Sequence, residues 1–300
     1  MNRQPLSLST ALLLSIPPVL WAGNAIIGRL VREAMPPMTL NLLRWSIALL
    51  ILLVLGRAAL RPGSGILRNW RRYALLGLLG IGLYNSLQYL ALTTSSPINV
   101  TLVASGVPVW MLIVGRLFYK VPVKPRQMGG AVLSIAGVLV VMCRGSWEEL
   151  AALRLVAGDA YMILATIIWS FYSWSLMQHK HDEPALRADW AAFLLAQVAY
   201  GVLCSAVLAS GEWALTDAQI TWSWPLALAL LYLAIGPAII AMRCWGAGVQ
   251  RAGPSVAAFF INLTPLCTAV LSAAFLGELP HLYHVLAFGL IVGGIAVSAR

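Results

Sequence analysis

The chain has 300 residues, 60% hydrophobic and only 10% charged, with a mean hydropathy of +0.84 and a formal net charge of +10. A soluble domain carries roughly 25% charged residues, so too few charges are present to cover a water-facing surface, and the composition indicates an integral membrane protein. The surplus Lys and Arg sit at the ends of apolar runs, not in a patch interleaved with aromatics, which argues against nucleic acid as a partner and for membrane orientation.

A transmembrane helix needs about 20 mostly apolar residues. Ten such runs follow one another, at 8–30, 37–55, 72–92, 97–119, 126–143, 156–177, 187–209, 225–245, 255–276 and 282–299. The first has one basic residue ahead of it, Arg3, outlasts a signal-peptide core and lacks an A-x-A site, so it reads as a span. Pro36-Pro37, Pro62-Gly63, Ser96-Pro97, Pro122, Pro184, Gly253-Pro254 and Pro280 punctuate the gaps. With the N-terminus in the cytoplasm, the inner loops hold Arg57, Arg61, Arg68, Arg71, Arg72, Lys120, Lys124, Arg126, Lys180, Arg187 and Arg251, with Arg243 close by. The outer loops hold Arg32, Arg144 and Arg154, together with Glu148, Glu149, Glu212, Asp217 and Glu278. This bias places both termini in the cytoplasm. Topology accounts for the Arg57–Arg72 cluster, with contact to anionic lipid as a possible second use.

The second half repeats the first. A shift of about 157 positions brings Pro97 onto Pro254, Pro108 onto Pro265, Phe118 onto Phe275 and Gly137 onto Gly294, and a shift of about 148 brings Trp21 onto Trp169 and Pro36 onto Pro184. The expected architecture is therefore all-α, with ten transmembrane helices as two inverted five-helix repeats, residues 1–145 and 146–300, forming one transport domain. Copies with an odd span count lie upside down relative to each other. Such inverted repeats characterise secondary transporters, whose substrate site lies where the copies meet near the bilayer midplane.

Polar groups inside spans are costly unless satisfied, so they mark candidate sites. Asn24, Asn85, Gln88, Ser105, Ser170, Ser173, Gln197 and Asn262 lie within spans, among Trp21, Tyr84, Tyr89, Trp110, Trp169, Tyr172 and Trp174. Aromatic faces beside amides and hydroxyls suit an amphipathic organic solute. The candidate substrate-binding set is Trp21, Asn24, Tyr84, Gln88, Tyr89, Ser105, Trp110, Trp169, Tyr172, Ser173 and Asn262. The competing reading is interhelical hydrogen bonding and interfacial belts, and it is the one adopted for Trp70, Trp147, Trp213, Trp222 and Trp224 near span ends. Pro17-Pro18, Pro108, Pro237 and Pro265 interrupt spans, and the repeat-related pair Pro108 and Pro265 reads as symmetrical hinges.

Gly77, Gly80, Gly82, Gly130 with Ser134, and Gly289 with Gly293 are expected at close helix contacts. No carboxylate sits mid-span, as a proton relay for organic cations would require; Asp159 comes nearest and reads as interfacial. Arg44, the most deeply placed charge, is positioned either to attract a substrate carboxylate or to snorkel to the outer interface. The run His179-Lys180-His181-Asp182-Glu183 lacks matching metal ligands elsewhere and reads as a solvated loop. The four cysteines read as small buried hydrophobes. No nucleophile elbow, Walker loop or HExxH occurs, so neither catalysis nor ATP hydrolysis is supported.

Two stretches resemble a known family. Leu20-Trp21-Ala22-Gly23-Asn24, then Pro36-Pro37 and Leu43-Arg44-Trp45, is similar to the start of an EamA repeat. Leu263-Thr264-Pro265, then Phe275-Leu276-Gly277-Glu278 and the Gly-rich helix through Gly289, Gly293 and Gly294, is similar to the end of one. The first copy departs from the pattern, with Lys120-Val121 where the second has Gly277-Glu278, which favours a helix-end role for Glu278. The resemblance covers essentially the whole chain and implies a ten-helix exporter of the drug/metabolite transporter superfamily, looking most like the bacterial aromatic amino acid exporters of the YddG type. It implies a non-enzymatic protein of the bacterial inner membrane that exports aromatic or other hydrophobic amino acids by alternating access, with other small metabolites or drugs as the alternative substrates. Its partners would be the substrate and the lipid bilayer. No cofactor, metal or nucleic acid is expected, and function as a monomer is.

Overall fold

The computed structural model describes residues 6–95, 97–143, 146, 148, 151, 156–178, 180, 182–276 and 282–299. The expectations for Arg3, Ser96, Arg144, Trp147, Glu149, Arg154, His179, His181, Gly277, Glu278 and Pro280 concern residues outside that set. Among the described residues the secondary structure is helical, without a strand. The helices are α1 (Leu8–Leu30), α2 (Pro37–Leu55), α3 (Trp70–Thr94), α4 (Pro97–Ala104), α5 (Val107–Phe118), α6 (Pro125–Met142) and α7 (Ala157–Leu176). They continue with the short α8 (Pro184–Ala188), α9 (Trp190–Leu215), α10 (Trp224–Ala252), α11 (Pro254–Ile261), α12 (Leu263–Leu276) and α13 (Leu282–Ala299). Six stretches among the described residues are long and apolar enough to cross a membrane: α1, α2, α3, α9, α10 and Pro254–Leu271. The chain is a multi-pass membrane protein. Its polarity is arranged accordingly, with Leu12, Val54, Leu203, Val207 and Leu228 on the outside while Asn24, Asn41, Arg44, Gln88 and Gln197 are buried.

Long-range packing pairs particular helices. α6 lies along α13, α2 along α9, the C-terminal half of α3 along α7, the C-terminal half of α10 along α1, α1 along α12, and α5 along α7 and α11. Glycines permit the closest approaches. A Cβ on Gly130 would lie 2.6 Å from the Gly294 carbonyl oxygen and one on Gly294 2.7 Å from that of Gly130, so these two backbones touch. Gly77 meets the α9 backbone at Gly201, Gly80 meets the Tyr172 ring, and Gly82 meets Cys204. Among the described residues nothing lies within 4 Å of a Cβ placed on Gly289 or Gly293, which corrects the expectation for that pair. The α13 contact runs through their neighbour Gly294, about 100° around the helix from Gly293.

Two long helices carry π-helical segments, Leu78–Leu83 in α3 and Ala234–Ile240 in α10, the latter holding Pro237. A π-segment shifts carbonyls out of the i→i−4 ladder, and in α3 asparagine amides take them up. Asn85 Nδ2 donates to Gly80 O at 2.8 Å and Asn41 Nδ2 to Ile81 O at 3.2 Å, the latter also reaching the Ser86 and Ser205 hydroxyls at 3.1 Å. Pro17-Pro18 leave α1 unbroken. The breaks in the other proline-bearing runs lie upstream of their prolines, at Ser105-Gly106 between α4 and α5 and at Asn262 between α11 and α12. Pro108 and Pro265 therefore stand in the first turn of α5 and α12, where a missing N–H costs nothing. After α5, Lys120 adopts φ +53°, the left-handed region that favours glycine, at the position where the second copy has glycine.

Both ends of the bundle carry charged ties between distant segments. Glu212 on α9 accepts from Met38 N at 3.0 Å, Thr39 N at 2.9 Å and Thr39 Oγ1 at 2.8 Å, capping α2, whose own N-cap residue is Pro36. At the other end, Arg72 Nε pairs with Asp182 at 2.8 Å, and Arg187 binds the second oxygen of Asp182. The same guanidiniums cap the end of α7, with Arg72 Nη2 donating to Ser175 O at 2.7 Å and Gln178 O at 2.8 Å, and Arg187 Nη2 to Leu176 O at 3.0 Å. Burial lowers the Arg187 guanidinium below its ordinary range and the Asp182 carboxylate works against that. The Asp182 side chain is 1% exposed, so it is not part of a solvated loop; the acid is held inside by the nearby Arg187 and by Arg72, which the local sequence does not reveal.

Candidate functional site

Trp169, on α7 and 2% exposed, is the hub of a buried aromatic group. Its ring lies 5.3 Å edge-on from Trp21 of α1, 4.7 Å from Tyr84 of α3, 5.0 Å from Tyr172 and 5.5 Å from Trp245 of α10, and Trp21 lies 5.6 Å from Trp245. Four helices drawn from both halves of the sequence supply these rings. The polar tips are partly satisfied: Tyr172 Oη donates to Gln197 Oε1 at 3.0 Å and Trp245 Nε1 to Ser173 Oγ at 3.3 Å. Trp169 Nε1 is buried with no partner among the described residues.

A polar group stands beside the rings. Asn24 Nδ2 donates to Gln88 Oε1 at 3.2 Å, and Asn24 Oδ1 accepts from Arg44 Nη1 at 2.8 Å and from Tyr89 Oη at 2.6 Å; Arg44 also bonds Tyr89 Oη. Asn24 follows Trp21 by three residues on α1, and Gln88 follows Tyr84 by four on α3, so each pair shares a helix face. The amide and guanidinium group is thereby stacked about 5.4 Å, one helical turn, from the aromatic group. A site built this way can hold an apolar ring at one level and a charged or hydrogen-bonding group at the next.

Of the sequence-derived candidates, Trp21, Trp169, Tyr84, Tyr172 and Ser173 meet in the aromatic group, and Asn24, Gln88 and Tyr89 in the polar one. Ser105 and Asn262 occupy the two helix breaks, at positions related by the 157-residue shift. Asn262 is fully buried, and neither polar atom of its amide has a partner among the described residues. Trp110, on α5, has no ring contact with the group among the described residues. Arg44 is 2% exposed and bonded inside the bundle, which overturns snorkelling. Asp159 is likewise buried within the fold, accepting from Ser95 Oγ at 2.7 Å and Val156 N at 2.8 Å. Trp245 was missed because the apolar run ends near it, whereas α10 continues two turns further to Ala252.

Residues 8–143 and 156–300 each match the EamA-like transporter family. An uncharacterized transporter from Archaeoglobus fulgidus is 27% identical over 96% of both chains. The aromatic amino acid exporter YddG of Ancylobacter novellus is 24% identical over 98% of both. A probable amino-acid metabolite efflux pump of Salmonella typhimurium is 24% identical over 93% of this chain and 91% of that one. A solved crystal structure matches 97% of both chains with a TM-score of 0.73 at 22% identity, a likeness of fold. Two successive family matches spanning nearly all of a helical, multi-pass chain settle its membership: it belongs to the EamA-like transporter family.

Proposed function

We propose that the chain exports aromatic or other hydrophobic amino acids across the bacterial inner membrane by alternating access, as two inverted five-helix repeats with ten crossings and both termini in the cytoplasm. The observation that carries the substrate assignment is the Trp169 aromatic group with the Asn24–Gln88–Arg44–Tyr89 cluster one turn away. Three features support the repeat. The shift of 157 carries Pro97–Ala104 onto Pro254–Ile261 and Pro125–Met142 onto Leu282–Ala299. The π-segments fall in corresponding helices, α3 and α10. The packing partners also exchange: α3 with α7 answers α10 with α1, and α5 with α7 answers α12 with α1. In this scheme α4–α5 and α11–α12 are the broken helices whose half-helix ends face a transport path, and the unpartnered Asn262 amide is the kind of group a bound solute satisfies.

The purified protein in liposomes, given a panel of labelled amino acids, is expected to carry phenylalanine and tryptophan down their gradients. Repeating the assay with a pH gradient reads out proton coupling. No flux for any amino acid would reject the proposal, whereas flux confined to other metabolites would move the substrate class.

The first-turn prolines give a second test. Alanine at 108 or 265 restores an N–H and lets the half-helix extend backwards through its break. Pro108→Ala and Pro265→Ala should each slow transport by about tenfold, a barrier change of ~1.4 kcal/mol, at unchanged expression. Unchanged rates in both variants would exclude a hinge role.

A further inference from the structure

Two arginines are buried among the described residues, and they are treated differently. Arg72 has Asp182 and two backbone carbonyls. Arg44 has no carboxylate within ion-pair distance among the described residues. Its hydrogen bonds run through Nη1, to a neutral amide oxygen and a phenol, and Nε is buried with no partner. The guanidinium is otherwise flanked by the faces of Trp45 at 5.1 Å and Tyr89 at 5.4 Å. A guanidinium cannot shed its proton to escape burial, and an unpaired charge inside a membrane protein is costly enough that it ordinarily marks a functional partner. Rings and neutral oxygens offset the charge only in part. What is missing is one negative charge, in a shape that fits a planar fork of N–H donors, and a carboxylate has both.

We propose that Arg44 is the subsite for the carboxylate of the transported solute, a proposal that rests on the transport reading above. Asn24 Oδ1, accepting from Arg44 Nη1 and Tyr89 Oη together, occupies the place that one oxygen of a bound carboxylate would take. An arriving carboxylate takes over those two donors and brings the negative charge that the guanidinium lacks, while the apolar part of the solute lies one turn away against Trp21, Tyr84 and Trp169. A carboxylate thus becomes a condition for transport. An amine brings no acceptor to Arg44 and an amide brings only a neutral carbonyl oxygen, so neither supplies the negative charge that the guanidinium lacks.

The test measures uptake of labelled phenylalanine into proteoliposomes against unlabelled phenylalanine, phenylalaninamide and phenethylamine. In the wild type, the acid should compete about 100-fold or more better than the amide or the amine, as expected where a site rejects analogues that leave its polar groups unpaired. In Arg44→Gln, the KM for phenylalanine should rise until acid and amide compete alike, while Arg44→Lys, which keeps the charge and loses the fork, should retain part of the preference. Equal competition by acid and amide in the wild type overturns the proposal, and it does so even if no Arg44 variant folds. A preference for the acid that survives intact in Arg44→Gln also overturns it, since Arg44 would then be structural. Absence of amino acid flux in the wild type fails the transport reading itself, and the carboxylate subsite falls with it.

Discussion

Trp169→Ala should reduce uptake of labelled phenylalanine by about 100-fold or more, because it removes the one ring that touches all the others in the group. Each ring contact is worth roughly 0.5–1.5 kcal/mol, and buried Trp→Ala changes typically cost about 3–5 kcal/mol, so part of the loss would reflect destabilisation. Two further variants separate the effects. Trp169→Phe keeps an aromatic face and most of the packing, and should hold the loss to about tenfold. Trp21→Ala alters a partly buried ring with two neighbours and should impair uptake with little change in melting temperature. Uptake at matched protein incorporation, read beside thermal unfolding in detergent, distinguishes a solute-binding ring from mere core. Wild-type rates in both alanine variants would dismiss the aromatic group as the site.

Asp182→Asn should be the most destabilising single change among the charged residues. It leaves Arg72 and Arg187 facing one another without the carboxylate between them, and breaking a buried pair by removing one partner costs about 3–5 kcal/mol. The adjacent pair of Arg68 and Glu183 is the contrast. Arg68 is 73% exposed, and exposed pairs contribute about 0–1 kcal/mol, so Arg68→Ala should leave the melting temperature nearly unchanged. Thermal unfolding in a fixed detergent measures both. Equal effects for the two variants would mean that the Asp182 pairs are screened by water.

Among the described residues six apolar stretches were legible as spans, because lipid leaves a chain few options: apolar runs of sufficient length, closed by prolines and arginines, are helices. The helices α2 and α13 fall on their expected bounds, 37–55 and 282–299. Trp21 and Trp169, singled out by the 148-residue shift in the sequence, are brought into ring contact by the fold. What the sequence did not disclose was set by residues from elsewhere. The burial of Arg44 depends on Asn24 and Tyr89 from two other helices, and that of Asp182 on Arg72, 110 residues away. The breaks at Ser105-Gly106 and Asn262 carry no strong breaker of their own beyond one glycine; the prolines that announce them lie downstream, inside the next half-helix. Trp245 was hidden by composition, because Arg243, Gly246 and Gly248 make the last turns of α10 read as its end.

The cap on α2 bears on the order in which the molecule can be made. Neither Pro36 nor Pro37 has an N–H, so the amides left over at that helix end belong to Met38 and Thr39, and both are bound by Glu212. That carboxylate is encoded more than 170 residues later. While the ribosome is still translating the second half, the start of α2 has to rely on water or lipid headgroups for its hydrogen bonds. A chain truncated after α6 would therefore keep a frayed α2, and the first half would reach its final form only when α9 has been inserted beside it.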